Sequence, residues 1–338
     1  MKSSYLVLSY ILLIITIAAC SFYPKIETPI FSLTSLPKNF PEVNYPVGNE
    51  FTKSRWDLGK KLFYDNILSL DSSISCSSCH LPQFAFSDNR ALSPGVKKRP
   101  GTRNAPSLAN IAYHPYMLRE GGVPTIEMQV LVPIQEENEF NHNIIEIGKL
   151  LERDSNYIKM AKEAYNRIPD YFVITRALGV FERTLISGNS KYDQYLQNKA
   201  KFNKEEKLGM ELFFSDRLNC SSCHNGFNFT DYGFKNNGLY TTYNDIGRLR
   251  FTKDSNDIAL FKTPSLRNIE VTGPYMHDGS ITTLKQVIAH YNSGGKNHSN
   301  KSPLIKPLEL SEKEKKALET FLITLTDKSF INNPFYRN

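Results

Sequence analysis

The pentapeptide CSSCH occurs twice in this chain of 338 residues, at 76–80 and at 220–224, and the two copies contain four of its five cysteines. Two cysteines three positions apart lie on the same side of a helical turn, so each thiol can add to one vinyl group of a haem. The histidine that follows directly is then placed beneath the ring, where it can bind the iron. The pattern therefore predicts two covalently attached c-type haems. The attachment and proximal iron-binding residues are Cys76, Cys79 and His80 for the first haem and Cys220, Cys223 and His224 for the second.

Other uses of paired cysteines explain the pattern less well. A thioredoxin-like dithiol is expected in a βαβ context, which the sequence does not show. One zinc ion could bind four cysteines, but the two pairs lie far apart in the chain and each has a histidine of its own. Two surface disulfides would not require the histidines.

The sequence around each CSSCH copy is repeated as well. A Leu-Gly and a Leu-Phe pair precede both copies, and an aromatic, polar stretch, a Pro-Ser-Leu motif and a Pro-Tyr-Met motif follow both. The matching stretches are 58–63 with 208–213, 84–88 with 227–231, 106–111 with 264–269 and 115–117 with 274–276. We interpret them as an internal duplication of one unit.

Helical patterns dominate the chain outside these motifs. Apolar spacing predicts a helix in 56–63, and residues 144–187 are rich in helical patterning. Helix starts are predicted where a capping residue precedes a glutamate by three positions, at Asn203 and at Ser311. Strand signals are weak and short. The predicted fold class is mainly α, with two c-type cytochrome domains, each around one haem.

The N-terminus predicts export. A short apolar run over 5–19 follows a basic residue, and it is typical of a secretory signal rather than a bilayer-spanning helix. It ends in small residues before Cys20, as in a bacterial lipobox, whose cysteine is lipidated; a plain signal peptide is the alternative. We expect a signal peptide over 1–19 and a lipidated, proline-containing tether over 20–50. The protein would then be anchored on the periplasmic side of a bacterial membrane, and Ser21 favours the outer membrane.

The net charge of +7 does not indicate a nucleic-acid partner. The densest basic cluster, 97–99 with Arg103, is short and lacks the helix or fold context of a nucleic-acid reader. We expect a solvated basic surface, and a docking face for an acidic protein partner stays open.

Several longer stretches together resemble the bacterial dihaem cytochrome c peroxidase and MauG family, over about residues 52–325. They are LGKKLFYD, ISCSSCH, TRNAPSLANIAY, FERTLISGNSKYD, LNCSSCH, FKTPSLRN and GPYMHDGSITTLKQVIAHYN. The resemblance implies an N-terminal peroxidatic haem domain at 51–187 and a C-terminal electron-transfer haem domain at 188–338, whose last helix could pack back on the first. Family members are often dimers, so a homodimer stays open, although no apolar stripe here indicates one.

In this family the N-terminal haem is the peroxide site, and Gln129, Pro133 and Glu139 match its distal pocket in type and spacing. The resemblance implies that Glu139 is the acid and base and that Gln129 orients the peroxide. Without the resemblance, Glu139 would be read as a solvated residue in an acidic run. Some relatives carry a removable histidine on this haem. Val96 stands at that position, which predicts an accessible haem, with His114 as the competing ligand.

The distal ligand of the second haem is, by the family pattern, Tyr291. Peroxidases of the family tend to place Met at this position, and MauG-like proteins place Tyr. Met276 and His290 are the alternatives, and His290 lies about 100° from Tyr291 around a helix. An anionic phenolate would favour ferric or higher iron and lower the potential.

The resemblance also implies one calcium ion between the haems, bound by an Asn side chain and two backbone carbonyls. The matching residues are Asn104, Thr272 and Pro274. Many relatives place a Trp between the haems, where this chain has Arg119. Arg has no accessible redox state, so an electron relay would have to use other residues, for which Tyr113 and Tyr116 are candidates.

These observations predict a dihaem c-type peroxidase with two haem c groups and one Ca²⁺. It would reduce hydrogen peroxide to water with electrons from a small cytochrome c, a cupredoxin or a quinol-linked carrier. A MauG-like dihaem oxidase acting on a protein partner is the first alternative, favoured by Tyr291 and disfavoured by Arg119. A non-catalytic electron-transfer or haem-sensing lipoprotein is the second.

Overall fold

Helices joined by long irregular segments make up nearly all of the regular structure. The computed structural model describes residues 31–338, so the predicted signal peptide and Cys20 lie outside the described residues. Residues 36–338 form one unit, to which every element below except α1 belongs. The helices are α1 Phe31–Thr34, α2 Lys53–Tyr64, α3 Ile126–Gln129, α4 Leu131–Gln135, α5 Ile144–Leu151, α6 Ser155–Tyr165, α7 Tyr171–Arg183, α8 Lys191–Leu196, α9 Lys204–Phe213, α10 Leu249–Thr252, α11 Leu284–Asn292, α12 Glu312–Ile323 and α13 Lys328–Ile331.

Two short strands, β1 Phe234–Lys235 and β2 Phe261–Lys262, pair antiparallel, in agreement with the weak strand signals in the sequence. The prediction of a mainly helical protein is confirmed. Within residues 31–338, no helix combines the length and apolar character that crossing a membrane requires.

The predicted helix starts at Asn203 and Ser311 are confirmed. The side chain of Asn203 accepts a hydrogen bond from the amide of Glu206 at 2.9 Å, and the carboxylate of Glu206 accepts one from the amide of Asn203 at 2.7 Å. Ser311 and Glu314 form the same reciprocal pair at the start of α12. Each pair satisfies backbone donors that a helix N-terminus otherwise leaves unpaired, which explains why both helices begin where they do.

The same close helix packing occurs twice. Helix α2 packs on α7, and α9 packs on α12. A Cβ atom built on Gly59 would lie 2.0 Å from the carbonyl oxygen of Ala177, and one built on Gly209 would lie 1.9 Å from that of Ala317. Only glycine allows backbones to approach so closely, so the repeated Leu-Gly motif has one packing role in both halves of the sequence.

The loops after the two CSSCH motifs also share their connections. Asn110 and Asn268, the last residues of the Pro-Ser-Leu-x-Asn motifs, both have left-handed backbone conformations, with φ of 61° and 60°. The amide of Asn110 donates to the carbonyl of Leu185 at 2.8 Å, and the amide of Asn268 donates to that of Leu325 at 3.0 Å. Each asparagine therefore connects the loop after its CSSCH motif to the chain just beyond α7 or α12.

Both ends of the described unit pack against these loops. Near the N-terminal end, within the predicted tether, the ring of Phe40 lies 4.7 Å from that of Phe227 and 6.0 Å from that of Tyr113. At the C-terminal end, Phe330 and Tyr336 lie against Phe86, with ring centroids 5.8 and 6.0 Å away. Segments distant in sequence thus complete the surroundings of both motifs.

Candidate functional site: two histidine and cysteine motifs with facing polar residues

The first motif presents two thiols and a histidine with a defined tautomer. Cys76 begins the 3₁₀ turn Cys76–Ser78, and both Cys76 and Cys79 are free thiols. The Nδ1 atom of His80 lies 2.8 Å from the carbonyl oxygen of Phe86, which requires Nδ1 to carry the proton and to donate it. The Nε2 atom of His80 is therefore left as the nitrogen that can bind a metal.

The second motif repeats this arrangement. Cys220 begins the 3₁₀ turn Cys220–Ser222, Cys223 is also a free thiol, and Nδ1 of His224 lies 3.1 Å from the carbonyl oxygen of Phe229. The carbonyl-bearing residues Phe86 and Phe229 are both left-handed, with φ of 59° and 52°. Such a conformation is strained for an aromatic residue and is held by its surroundings, which is common where a backbone group serves a site.

Burial lowers the pKa of both His80 and His224, so the imidazoles are neutral at neutral pH, the form in which histidine binds metal. The free thiols, the neutral histidines and the available Nε2 atoms fit a haem c at each motif. Among residues 31–338, no group of three or more His, Cys, Asp or Glu side chains could hold a metal ion, so the structure offers no support for a shared zinc site.

Glu139 lies close to the first motif. Burial is the largest cause of a raised pKa of Cys76, and the charges of Glu182 and then Glu139 add to it. Burial also raises the pKa of Cys79 to about 11, and Glu139 contributes there too. The residue surface of Glu139 is exposed, yet enough protein surrounds the carboxyl that desolvation, together with the charge of Glu136, raises its pKa to about 7. A group with this pKa can both accept and donate a proton near neutral pH.

Backbone contacts fix the segment that carries Glu139. Its carbonyl oxygen accepts a hydrogen bond from the amide of Val96 at 2.9 Å, and its amide donates to the carbonyl of Glu136 at 3.0 Å. Val96, the residue at the position where some relatives have a ligating histidine, is fully buried against this segment. Gly95 makes the contact feasible, because a Cβ atom there would lie 2.1 Å from the carbonyl oxygen of Asn138.

Gln129 ends helix α3, which Thr125 caps by accepting from the amide of Met128 at 3.2 Å. The side-chain oxygen Oε1 of Gln129 is buried and has no hydrogen-bond partner among the described residues. A buried acceptor without a partner costs free energy, so it marks a place where a donor from another molecule would be favoured. This fits the predicted role of Gln129 in orienting a small hydrogen-bonding ligand.

The three candidate distal ligands of the second motif gather around Asn237. Nε2 of His290 lies 3.0 Å from the carbonyl oxygen of Asn237, and the side-chain nitrogen of Asn237 donates to the sulfur of Met276 at 3.2 Å. Burial raises the pKa of Tyr291, the side chain of Asn237 opposes that rise, and the nearby thiols of Cys223 and Cys220 add to it. Tyr291 therefore lies near the cysteines of the second motif, whereas Nε2 of His290 is engaged by the backbone.

Sequence reasoning did not find Asn237, because nothing in its local pattern distinguishes it from a turn residue. Its partners Met276, His290 and Tyr291 are brought to it by the fold alone.

Asn104, a predicted calcium ligand, is engaged by an arginine. Its side-chain oxygen accepts from Nη2 of Arg119 at 2.9 Å, and its backbone oxygen accepts from Nη2 and Nε of Arg119 at 2.8 and 3.2 Å. Thr272 and Pro274 lie in the neighbouring segment, where the carbonyl of His277 accepts from the amide of Asn104 at 2.9 Å. The oxygens of Asn104 are thus hydrogen-bonded to the guanidinium of Arg119, a cation of the same chain.

His114, the competing ligand for the first haem, lies against residues from the second half of the chain. Its ring packs on Tyr232 with centroids 5.1 Å apart, and its Nδ1 lies 3.4 Å from Nζ of Lys262. Its Nε2 is buried without a partner among the described residues. Burial and the charge of Lys262 hold the pKa of His114 well below its usual value, so it is neutral.

A buried carboxyl beside the first motif was also missed by sequence reasoning. Burial raises the pKa of Glu182 in helix α7 to about 8, and its charge is the first electrostatic contribution to the raised pKa of Cys76. The stretch FERTLISG around Glu182 has no local pattern that indicates a site, and its position beside Cys76 depends on helix packing.

Comparison with known proteins identifies the family of this chain. A sequence model of the family described as di-haem cytochrome c peroxidase matches residues 53–201. The methylamine utilization protein MauG of Methylorubrum extorquens is 34% identical over 288 residues, covering 84% of this chain and 81% of that protein. The cytochrome-c peroxidase IdrP1 of Denitromonas iodatirespirans is 32% identical over 324 residues, covering 85% of each.

A solved structure supports the same assignment. The crystal structure of a MauG-like protein associated with microbial copper homeostasis superposes with a TM-score of 0.86 at 34% identity, covering 89% of this chain and 97% of that one. The chain therefore belongs to the family of di-haem cytochrome c peroxidases and MauG-like proteins, as the sequence resemblance predicted. Membership implies two c-type haems, which the two motifs are suited to hold.

Proposed function

We propose that the protein is a dihaem c-type peroxidase, which reduces hydrogen peroxide to water with electrons from a small redox protein. The observation that carries this proposal is Glu139, a carboxyl beside the first CSSCH motif whose pKa is raised to about 7. Haem at the first motif would supply an iron that binds a peroxide oxygen and passes electrons to it. The remaining chemistry is a proton movement, for which a carboxyl of this pKa is suited.

Glu139 would transfer the proton that must move between the two peroxide oxygens before the O–O bond is cleaved. As a carboxylate it takes the proton from the oxygen of peroxide nearer the metal, and as an acid it returns that proton to the outer oxygen. The outer oxygen then leaves as water, since it carries two protons. Two electrons, which the donor delivers in single steps, and two protons from the solvent complete the reduction of one peroxide to two waters. A pKa near 7 keeps both forms of Glu139 populated at neutral pH.

Gln129 would hold the peroxide without competing for its proton. Its buried Oε1 lacks a partner and can accept a hydrogen bond from a peroxide O–H. An amide does not titrate in this pH range, so it orients the substrate and leaves the proton to Glu139.

The proposed setting is the periplasmic side of a bacterial membrane, where a lipid on Cys20 would anchor the chain. Support comes from the signal-like segment before Cys20 and from the need for an exported compartment in which haem is attached covalently. The proposed donor is a small cytochrome c or cupredoxin, delivering electrons through the haem of the second motif.

The test is substitution of Glu139 in the mature dihaem protein. Glu139→Gln keeps the size and polarity of the side chain but cannot take a proton, so steady-state peroxide turnover should fall by about 10²-fold or more. Both haems should remain attached, as judged by their absorbance. Glu137→Gln is the matched control, since Glu137 is an exposed neighbour bonded to Arg99. Turnover that is unchanged in Glu139→Gln would refute the assignment.

A second candidate, a MauG-like oxidase that modifies a protein partner, is supported by Tyr291. Tyr291 lies near the second motif, and a tyrosine that binds the iron there would favour its higher oxidation states, as such an oxidase needs. The two candidates differ in their electron source. Sustained peroxide turnover with a reduced small cytochrome supports the peroxidase. Peroxide consumption that stops after one peroxide per protein molecule, and resumes only when a protein substrate is added, supports the oxidase.

A further inference from the structure

Arg119 binds Asn104 as a cation binds a chelating ligand. Three hydrogen bonds of 2.8 to 3.2 Å join its guanidinium to the backbone and side-chain oxygens of this one residue. The amide of Asn104 is oriented for this contact, because its nitrogen donates to the carbonyl of Arg90 at 3.0 Å and so turns Oδ1 toward Arg119. Asn104 is buried, with an exposed fraction of 4%. Its oxygens are therefore committed to the guanidinium.

Charged groups of both signs surround Arg119, and none of the acidic ones neutralises it directly. Within residues 31–338, no carboxylate oxygen lies within 4.0 Å of its nitrogens. The acidic groups whose charges favour its charged form are Asp278, Asp245 and Glu120, and the charge of Arg103 opposes them. Two of these, Glu120 and Asp245, are themselves bonded to Arg103. Burial and then the charge of Arg103 lower the pKa of Arg119 to about 10, so it stays charged at neutral pH.

Neutral oxygens at short range and carboxylates at longer range are also what a hard metal cation would meet at this position. A calcium ion on Oδ1 of Asn104 would have to displace the guanidinium, and the displaced charge would remain close to it. The two cations would repel each other strongly in a partly buried setting. Asn104 can therefore serve one of them at a time.

We propose that Arg119 is a built-in cation that takes the place of the calcium ion expected at Asn104, so that this junction forms without metal. The junction joins the two halves of the chain, since the amide of Asn104 donates to the carbonyl of His277 and the carbonyl of Arg119 accepts from the amide of Lys262. One residue thus accounts for two departures from the family pattern, the missing Trp and the occupied calcium ligand. The inference does not depend on which substrate the protein acts on.

The first experiment measures metal in the mature dihaem protein. After purification in calcium-containing buffer and desalting, elemental analysis should find far less than one calcium per chain. Neither a calcium chelator nor about 1 mM added calcium should move the haem absorbance or the thermal midpoint. Close to one calcium per chain, whose removal lowers the midpoint, would overturn the proposal.

The second experiment removes the guanidinium of Arg119, so that a metal ion can bind in its place. Arg119→Gln removes the charge and frees the oxygens of Asn104, so added calcium at about 1–10 mM should raise its thermal midpoint by a few degrees. The same calcium should have no effect on Arg119→Gln combined with Asn104→Ala. It should also have none on Arg99→Gln, which loses a partly exposed arginine distant in sequence from Asn104's partner Arg119. The proposal would be contradicted if Arg119→Gln folds with both haems attached and its thermal midpoint does not change when calcium is added. If this variant does not fold, Arg119→Leu and the metal content of the wild-type protein decide the question.

Discussion

The raised pKa of Glu139 predicts a specific pH dependence. Burial is its main cause and the charge of Glu136 the second, and both favour the protonated form. Below about pH 7, Glu139 is protonated and cannot take a proton from peroxide, so kcat/KM for peroxide should rise with pH through this region. Glu136→Gln removes the second cause, which lowers the pKa of Glu139 and should move the rising limb to lower pH.

The measurement is the pH profile of kcat/KM for the wild type and for Glu136→Gln, each with both haems attached. Glu146→Gln, which changes an exposed carboxylate paired with Lys149 in helix α5, should leave the profile where it is. A limb that stays in place in Glu136→Gln, or that moves to higher pH, would show that another group titrates.

Tyr291 and His290 are neighbours in helix α11 whose roles substitution can separate. Tyr291 lies near enough to Cys220 and Cys223 for their charges to raise its pKa, whereas Nε2 of His290 lies 3.0 Å from the carbonyl oxygen of Asn237. If the phenolate binds the iron of the second haem, Tyr291→Phe removes an anionic ligand, and the reduction potential of that haem should rise. His290→Gln should change it little. Spectroelectrochemical titration measures both, and the reverse pattern would assign the ligand to His290.

At the scale of residues, the sequence predicted those site features that depend on local spacing. The two thiols and the histidine of each motif are adjacent in the chain, so their spacing alone indicated haem attachment. The partners of Asn237, Arg119 and Lys262 come from segments that are distant in sequence. Their roles follow from side-chain contacts such as that between Lys262 and His114, which no local pattern encodes.

At the scale of elements, two glycines should tolerate no side chain. Gly59→Ala and Gly209→Ala would each place a Cβ about 2 Å from a backbone oxygen of the facing helix, so α2 and α7, or α9 and α12, would have to move apart. We expect a loss of stability of about 1–3 kcal/mol or more, because close-packed backbones cannot absorb the added atom.

Gly148→Ala is the matched control in helix α5. The nearest atoms to its Cβ would lie at 3.5 Å, an ordinary contact, so it should be neutral or stabilise by about 0.5–1 kcal/mol through better helix propensity. Thermal unfolding of the three dihaem variants gives the comparison. Equal midpoints for Gly59→Ala and Gly148→Ala would show that the helix pair adapts.

The helices themselves were largely predictable, and their partners were not. Capping pairs such as Asn203 with Glu206 are local and set where a helix begins. The repeated Leu-Gly motif indicated a duplication, but not that Gly59 would meet the carbonyl of Ala177. That contact depends on how α2 and α7 cross, which many side chains decide together.

At the scale of the whole molecule, the last residues of the chain support the first haem motif. Tyr336 is buried, its hydroxyl donates to the carbonyl of Thr184, and its carbonyl accepts from the hydroxyl of Tyr64. Its ring lies against Phe86, whose carbonyl accepts the hydrogen bond from His80. A substitution of Tyr336 should therefore affect His80, more than two hundred residues earlier in the chain.

Tyr336→Ala should destabilise the protein by about 3–5 kcal/mol, the usual cost of removing a large buried aromatic side chain. It should also change the spectrum of the first haem and leave that of the second unchanged, because no hydrogen bond or aromatic ring contact among residues 31–338 joins Phe229 or His224 to Tyr336. Thermal unfolding and low-temperature electron paramagnetic resonance measure the two effects. Arg337→Ala alters an exposed neighbour and should do neither. If Tyr336→Ala changed both haem signals equally, the tail would be stabilising the unit as a whole rather than holding Phe86 and His80 in place.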